Sequence, residues 1–315
     1  MAKKLIVFGE YIGYQCGGAE KSMHSLIAHF KNIDIEAISA NNKEYEIAPI
    51  QSERIKITKV NMCRIKQFPY MQYFINSLIM AKKISNISSD GLLFAQGMEA
   101  PMVINGYKGD TVYFIRNEKS LNICKCYEKN MFKILKFIIR HIIEIPFIIY
   151  YFYENKKAIK KSKLIIANSN YIAERVKKIF KRNSVVVYPT IEICKNVNKI
   201  VQNNQKKYIM MIGDCEAKGV GVFKKIAAQM PNYKFMITGK YYKNTTIGNI
   251  RYRSYVTDYA ELYSQAKILL VPSVWEEAFG RVSVEAQSFG VPAIVSNRGG
   301  LPETVISEEY VIDKY

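Results

Sequence analysis

The chain has 315 residues, long enough for two domains with substantial cores, and its 49% hydrophobic and 12% aromatic content excludes a disordered or fibrous protein. Lys and Arg number 46 against 27 Asp and Glu, a formal net charge of +19 that predicts attraction to polyanions (anionic lipid, nucleic acid or a phosphorylated substrate) without choosing among them. Cysteines at 16, 63, 124, 126, 194 and 215 form no Cys-x-x-Cys pair, and His24, His29 and His141 complete no zinc-ligand spacing, so reduced thiols, a cytosolic compartment and no metal are expected.

Met1-Ala-Lys-Lys runs straight into the apolar Leu5 to Phe8, too short for the apolar region of a signal peptide and suited to a first strand, so an unexported protein is expected. A loop ending in Gly17-Gly18-Ala19-Glu20 follows, then Met23, Leu26, Ile27 and Phe30 at helical spacing. Strand, Gly-Gly, helix is a phosphate-cradle geometry, because glycine lets backbone amides approach a ligand closely; a plain turn fits the same residues. Ile33 to Ser39, Leu92 to Ala95 and Thr111 to Ile115 read as further strands, the last two ending in the polar pairs Gln96-Gly97 and Arg116-Asn117.

Met131 to Lys163 is the most apolar and most basic segment together. Its core, Phe137 to Tyr153, approaches the length of a membrane span, but Arg140, His141 and Glu144 interrupt it and Pro146 is expected to kink it, which argues against a spanning helix. A pair of buried helices accounts for the Ile positions. Lys133, Lys136, Arg140, Lys156, Lys157, Lys160, Lys161 and Lys163 outnumber Glu144 and Glu154, and Phe147, Tyr150, Tyr151, Phe152 and Tyr153 supply aromatics, a combination that predicts attachment to an anionic membrane surface.

Lys163 to Ala167 is another buried strand, Asn168-Ser169-Asn170 caps a helix running to about Ile179, and Val185 to Tyr188 with Pro189 closes an amino-terminal domain assigned to residues 1–195. The polar stretch from Cys194 to Lys207 has neither periodicity and reads as a linker to a second domain at 203–315. That domain opens with the strand Tyr208 to Ile212, the loop Gly213-Asp-Cys-Glu-Ala-Lys218-Gly219 and a helix with Val222, Ile226 and Ala227 inward. Phe235 to Thr238 is the next strand, and Asp258 is expected to cap a helix through Ala266. Ile268 to Val271, bounded by Pro272 and Ser273, suggests a strand buried on both faces; Val282, Ala286 and Phe289 mark a short helix, and Ala293 to Val295 a second buried strand. Strand, helix, strand over this length is a right-handed parallel unit, so Trp275 to Gly280 and Ser296 to Gly300 fall at the carboxyl edge of the sheet, where open α/β sheets bind ligands.

Amides at Phe279 and Gly280 suit an anion, whereas the carboxylates Glu277 and Glu285 suit neutral diols, and a sugar attached to phosphate satisfies both. Complementing a helix dipole is the plainer role for such carboxylates. The order Glu277-Ala-Phe-Gly-Arg-Val-Ser-Val-Glu285-Ala, then Gly290-Val-Pro292 and Gly299-Gly300-Leu-Pro-Glu303, resembles the donor-site signature of retaining glycosyltransferases of family 4 at about ten positions. The resemblance is strong from Tyr208 to Glu303 and looser before it, where Gly-Gly-Ala-Glu and the stretch from Ala167 to Pro189 are similar to the family's amino-terminal domain.

That resemblance implies the GT-B fold: α/β, with two Rossmann-like domains whose parallel sheets face a central cleft. It assigns Glu277 to the transferred sugar, Phe279 and Gly280 to amides facing that sugar, and Glu285 to the nucleotide ribose. Gly17, Gly18, Gly213, Lys218 and Arg281 complete the donor site, with Glu277 and Lys218 as the catalytic pair. It implies transfer of a hexose, with retention, from a UDP- or GDP-sugar to a hydroxyl of a glycan or lipid-linked acceptor in polysaccharide or cell-envelope glycan synthesis. No cofactor beyond the donor substrate is expected, and the absence of Asp-x-Asp argues against a metal-bridged diphosphate. Family members acting on lipid-linked acceptors commonly attach to membranes through this domain, so a peripheral protein on the cytoplasmic membrane face is expected.

The chain departs from the pattern in three places. Arg116 stands where many members have His; it can neutralise a phosphate or acidic acceptor but cannot be a base, and an ordinary surface arginine fits equally. Asp214 stands where an Arg is usual, leaving the diphosphate to Lys218 and backbone amides. Family chains also continue beyond the Gly-Gly-x-Pro-Glu loop, where this one stops at Tyr315, leaving a minimal carboxyl domain and a shortened chain both open. Two other functions fit: a nucleotide-sugar epimerase of the same fold, and a non-enzymatic polyanion binder. Against the latter, the basic residues are dispersed and no interleaved aromatic motif for nucleic acid is present, so no nucleic-acid partner is expected.

Overall fold

The structure, a computed structural model, describes residues 4–9, 18–30, 33–41, 55–85, 90–121, 125–128, 130–191, 206–254, 256 and 259–313. The chain divides into two units, Met1–Thr190 and Ile191–Tyr315. The expected linker from Cys194 lies outside the described residues as far as 205, as do Gly17 and Asp258.

Unit 1 contains strands β1 (Lys4–Gly9), β2 (Asp34–Asn41), β3 (Ile55–Asn61), β4 (Leu92–Gln96), β5 (Thr111–Ile115), β6 (Leu164–Ala167) and β7 (Val185–Val186). They form one all-parallel sheet in the order β3-β2-β1-β4-β5-β6-β7. Helices α1 (Gly18–Ala28), α2 (Pro69–Ser85), α3 (Ala100–Gly106), α4 (Met131–Lys161) and α5 (Asn170–Phe180) connect them. A parallel sheet covered by helices needs strands apolar on both sides, and β5 is buried at all of its positions. Leu5, Val7, Met23, Ile27, Phe94 and Phe114 form one core layer. Ser169 starts α5 as expected, its hydroxyl accepting from the amide of Ile172 at 3.1 Å.

Unit 2 has β8 (Tyr208–Ile212), β9 (Lys234–Gly239), β10 (Thr245–Ile247), β11 (Ile250–Ser254), β12 (Ala266–Val271), β13 (Ala293–Ser296) and β14 (Val311–Ile312). Their order is β10-β11-β9-β8-β12-β13-β14, parallel except for the β10–β11 hairpin. Its helices are α6 (Val220–Gln229), α7 (Tyr259–Ser264) and α8 (Arg281–Ser288). From β8 the chain winds outward to β9 and β11, then crosses back to β12. The topological switch therefore falls between β8 and β12, and a crevice opens outside the carboxyl ends of strands at such a point.

One expectation is corrected. Met131 to Lys161 is a single helix of 31 residues, not a pair, and it continues through Pro146. Pro146 is exposed, so the carbonyl left without its N–H partner lies on the solvent side, where water satisfies it. Nor are the isoleucines mostly buried: Ile138, Ile139, Ile142, Ile143, Ile145 and Ile149 are exposed, and Ile148 and Ile159 are the buried ones. Of the aromatics expected at a membrane interface, three pack against α2: Tyr151 is buried against Tyr70 (ring centroids 5.4 Å apart), and the half-buried Phe147 and Tyr150 meet Phe74 (5.5 and 5.1 Å), whereas Tyr153 is exposed.

Candidate donor site

Two loops meet at the switch point of unit 2. After β8, Gly213 leads to a 3-10 turn, Glu216–Lys218, and Gly219 opens α6. After β12, Pro272 to Gly280 leads into α8. Their backbones touch: the amides of Val274 and Trp275 both donate to the Ala217 carbonyl, at 3.0 and 3.2 Å. Gly219 (φ +86°) permits this approach, since a Cβ there would lie 1.8 Å from the Pro272 carbonyl oxygen.

Glu277 is buried at 7% exposure, and its Oε1 accepts from Lys218 Nζ at 2.5 Å and from Ser273 Oγ at 2.9 Å. A buried carboxylate needs such partners. The Lys218 ammonium also lies 5.2 Å from the centroid of the Trp275 ring. The third segment, after β13, is stitched onto the second: Gly300 N donates to the Glu277 carbonyl (2.7 Å), and Gly299 N donates to the Glu276 carboxylate (2.7 Å). Gly299 (φ +61°) is required here, because a Cβ would come within 2.1 Å of the Glu277 carbonyl oxygen. Glu276 thus holds this third segment in place.

Phe279 is buried, and Gly280 supplies no side-chain cap to α8. Glu285 and Arg281, both expected at the donor, pair with each other along α8, with Arg281 Nη2 3.1 Å from Glu285 Oε1. Asp214 accepts from the amide of Tyr241 in the turn after β9 (3.3 Å). Burial, with the Asp214 carboxylate next in effect, pushes the Tyr242 hydroxyl up to about 12, so it stays protonated at neutral pH.

In unit 1, Gly18 is the first residue of α1. Arg116 at the end of β5 donates to Gln96 Oε1 at the end of β4 (2.8 Å), lies over the Phe114 ring (4.7 Å) and accepts at its carbonyl from Asn168 Nδ2 beyond β6 (3.2 Å). Three strand ends thus converge at Arg116. Its side chain is engaged on two sides, by Gln96 and the Phe114 ring.

The side of α4 turned away from the protein body is apolar for most of its length: Met131 is 79%, Ile142 60% and Ile149 65% exposed. The same side then becomes basic at the exposed Lys156, Lys157 and Lys160. A groove of about 610 Å³ beside its first turns is lined by Phe68, Phe132, Phe137, Ile143, Lys136 and Arg140, among others. Among the described residues, no helix is long and apolar enough to cross a membrane.

Residues 193–315 match the family model described as glycosyl transferases group 1. The match covers 123 of the 315 residues, nearly all of unit 2, which therefore carries a glycosyl transferases group 1 domain. An uncharacterized 41.2 kDa protein in the cps region of Klebsiella pneumoniae is 29% identical over 175 residues, 49% of this chain and 48% of that one, so the chain spans about half the length of that relative in the match. The D-inositol 3-phosphate glycosyltransferase of Corynebacterium kroppenstedtii is 46% identical over 48 residues, 15% of this chain and 10% of that protein. The crystal structure of HepE from Anabaena in complex with UDP and glucose superposes with a TM-score of 0.63 at 15% identity, covering 98% of this chain and 84% of that one. The fold is GT-B: two α/β units with Rossmann-like, dominantly parallel sheets.

Proposed function

We propose that this protein is a retaining glycosyltransferase of the family 4 type, moving a hexose from a UDP- or GDP-sugar to a hydroxyl of a glycan or lipid-linked acceptor. The observation that carries the reading is the meeting of Lys218, Glu277 and the Gly299–Gly300 segment at the switch point of a glycosyl transferases group 1 domain. Lys218, with the amides at the start of α8, neutralises the diphosphate as it leaves. Glu277 holds hydroxyls of the transferred sugar, and Glu285 those of the ribose. The leaving phosphate oxygen takes the acceptor proton, so the mechanism asks for no protein nucleophile and no metal.

The UDP-bound HepE structure favours a uridine donor, and the Klebsiella relative from a cps region suits polysaccharide synthesis as the setting. The exposed apolar side of α4 with its terminal lysines supports a peripheral position on the inner face of the cell membrane, within reach of a lipid-linked acceptor.

The test has two steps. UDP- and GDP-sugars are screened for protection against thermal unfolding, since a bound ligand stabilises by mass action. The protective donor is then incubated with and without acceptor glycans, and the anomeric configuration of the product is read by NMR. A glycoside of retained configuration, formed only with acceptor, is expected. Conversion of the donor alone identifies an epimerase, and an inverted product removes the retaining mechanism.

A further inference from the structure

We propose that Trp275 is a positioning residue for the donor site: its indole face seats the Lys218 ammonium and fixes where that charge stands. The inference rests on the reading of Lys218 as the diphosphate cation. A lysine loses much rotamer freedom when its ammonium is held in one place, so a catalytic lysine needs neighbours that confine it. Lys218 has two. Glu277 Oε1 takes the ammonium at 2.5 Å, and the Trp275 ring centroid lies 5.2 Å from it.

The two contacts differ in kind. The carboxylate bond is directional and competes with any incoming anion for the same charge. The ring attracts the ammonium through its electron-rich face and makes no directional bond, so Lys218 can turn from Glu277 to a phosphate without leaving the ring. The ring also moves with the lysine, because the amides of Val274 and Trp275 are both bonded to the carbonyl of Ala217, the residue before Lys218.

The choice of aromatic is itself informative. Trp275 Nε1 is buried with no hydrogen-bond partner among the described residues, a desolvation cost that a phenylalanine would avoid. Tryptophan has the strongest cation-binding face of the aromatic side chains, and that gain accounts for its presence at this position.

Trp275 is the only tryptophan in the chain, so its fluorescence reports on this seat without any donor. The emission spectrum is recorded for wild type, Lys218→Met and the control Lys225→Met, a substitution on the exposed side of α6. A change in emission with Lys218→Met alone is expected; identical spectra for all three overturn the proposal, and this arm needs no variant at position 275. In the second arm, UDP affinity is measured for Trp275→Leu and Trp275→Phe in the wild-type and Lys218→Met backgrounds. Trp275→Leu is expected to weaken UDP binding about tenfold and Trp275→Phe less than threefold, with neither causing further loss once Lys218 is replaced. An equal loss from Trp275→Leu in both backgrounds overturns the proposal, because the ring would then not act through Lys218. Should wild type bind neither UDP nor GDP, the donor-site reading of Lys218 falls, while the emission arm still decides whether the ring seats the ammonium.

Discussion

Lys218 and Glu277 lie 59 positions apart in sequence, yet the Lys218 ammonium stands 2.5 Å from the Glu277 carboxylate. One comes from the loop after β8 and the other from the loop after β12, the two strands flanking the switch point of unit 2. The two charges neutralise each other, so under the proposed function a diphosphate competes with Glu277 for the lysine.

Replacing either partner therefore has opposite effects on binding. Glu277→Gln is expected to lower turnover while leaving UDP affinity unchanged or higher, because the competing charge is gone. Lys218→Ala is expected to reduce turnover by about two to three orders of magnitude, as loss of one transition-state charge stabiliser typically does. Calorimetric titration with UDP and kcat at saturating donor separate the two; unchanged kcat in Glu277→Gln removes that residue from the site, and a loss below fivefold in Lys218→Ala moves the role to another cation.

Glu285 is paired with Arg281 one turn away, which makes the ribose role testable without loss of fold. An i,i+4 ion pair contributes about 0.5 kcal/mol, and Ala is a good helix residue, so Glu285→Ala is expected to melt within a few degrees of wild type. Nucleotide affinity should fall about tenfold, the effect of losing a hydrogen bond to a charged group. Undiminished affinity for UDP and GDP excludes contact with the ribose.

Most of the inner parallel strands and the site loops were legible because each carries a local signal: Thr111–Ile115 and Tyr208–Ile212 are short apolar runs bounded by turn residues, and the Glu277 to Glu303 stretch is a motif in order. The β10–β11 hairpin escaped, although Gly248-Asn249 between two β-prone runs is a turn signal. β3 escaped too, with its Ile-Lys-Ile alternation standing in plain view. What no local pattern encodes is which partner a charge meets. Glu144 looked like an interruption of an apolar run and binds a helix start, and Glu276 in the loop after β12 binds the Gly299 amide in the loop after β13. Such pairings depend on which segments the fold brings together.

Glu144 on α4 is fully buried, and its Oε1 accepts from the amide of Tyr70 in the first turn of α2 at 2.8 Å. It caps a neighbouring helix from a position 74 residues away. Removing such a cap costs about 1 to 2 kcal/mol and leaves a buried amide unpaired. Glu144→Ala is expected to lower stability by roughly 2 kcal/mol in urea unfolding, and Glu144→Gln, which keeps an acceptor oxygen, by less than half of that. Equal stability of all three proteins excludes the capping role.

His24 on α1 has its pKa lowered from 6.5 to about 4 by burial. The folded state thus binds fewer protons at this site than the unfolded chain between those values, and stability falls as pH drops from about 6.5 towards 4. Above 6.5 the ring is neutral in both states and contributes no slope. The shift would be worth roughly 3 kcal/mol for a fully buried ring, and partial exposure reduces this to about 1 kcal/mol. Melting temperatures of wild type and His24→Gln should converge as pH falls if Gln is tolerated less well at neutral pH; parallel curves from pH 7.5 to 4.5 exclude the effect.

The outward side of α4 makes the membrane prediction specific. Leu135, Ile142 and Ile149 are exposed on it, followed by Lys156, Lys157 and Lys160. Burying one such side chain in the acyl boundary contributes about 1.5 to 3 kcal/mol, and each lysine near an anionic surface about 1 kcal/mol. The apolar part does not depend on salt. The protein is therefore expected to co-sediment with anionic vesicles much more than with neutral ones, and to keep a reduced part of that binding at high salt. Changing Leu135, Ile142 and Ile149 to Ser should remove the salt-resistant part, and changing Lys156, Lys157 and Lys160 to Glu the salt-sensitive part. Lys161 is left in place because its ammonium bonds the carbonyls of Asn105 and Tyr107 at the end of α3, so replacing it would confound folding with binding. All six positions are exposed, so unaltered melting is expected in both variants. Equal indifference of wild type to anionic and neutral vesicles rules out membrane attachment through α4. If the Ser variant instead turns a dimer into a monomer in sedimentation velocity, the apolar side is a contact between copies of this chain.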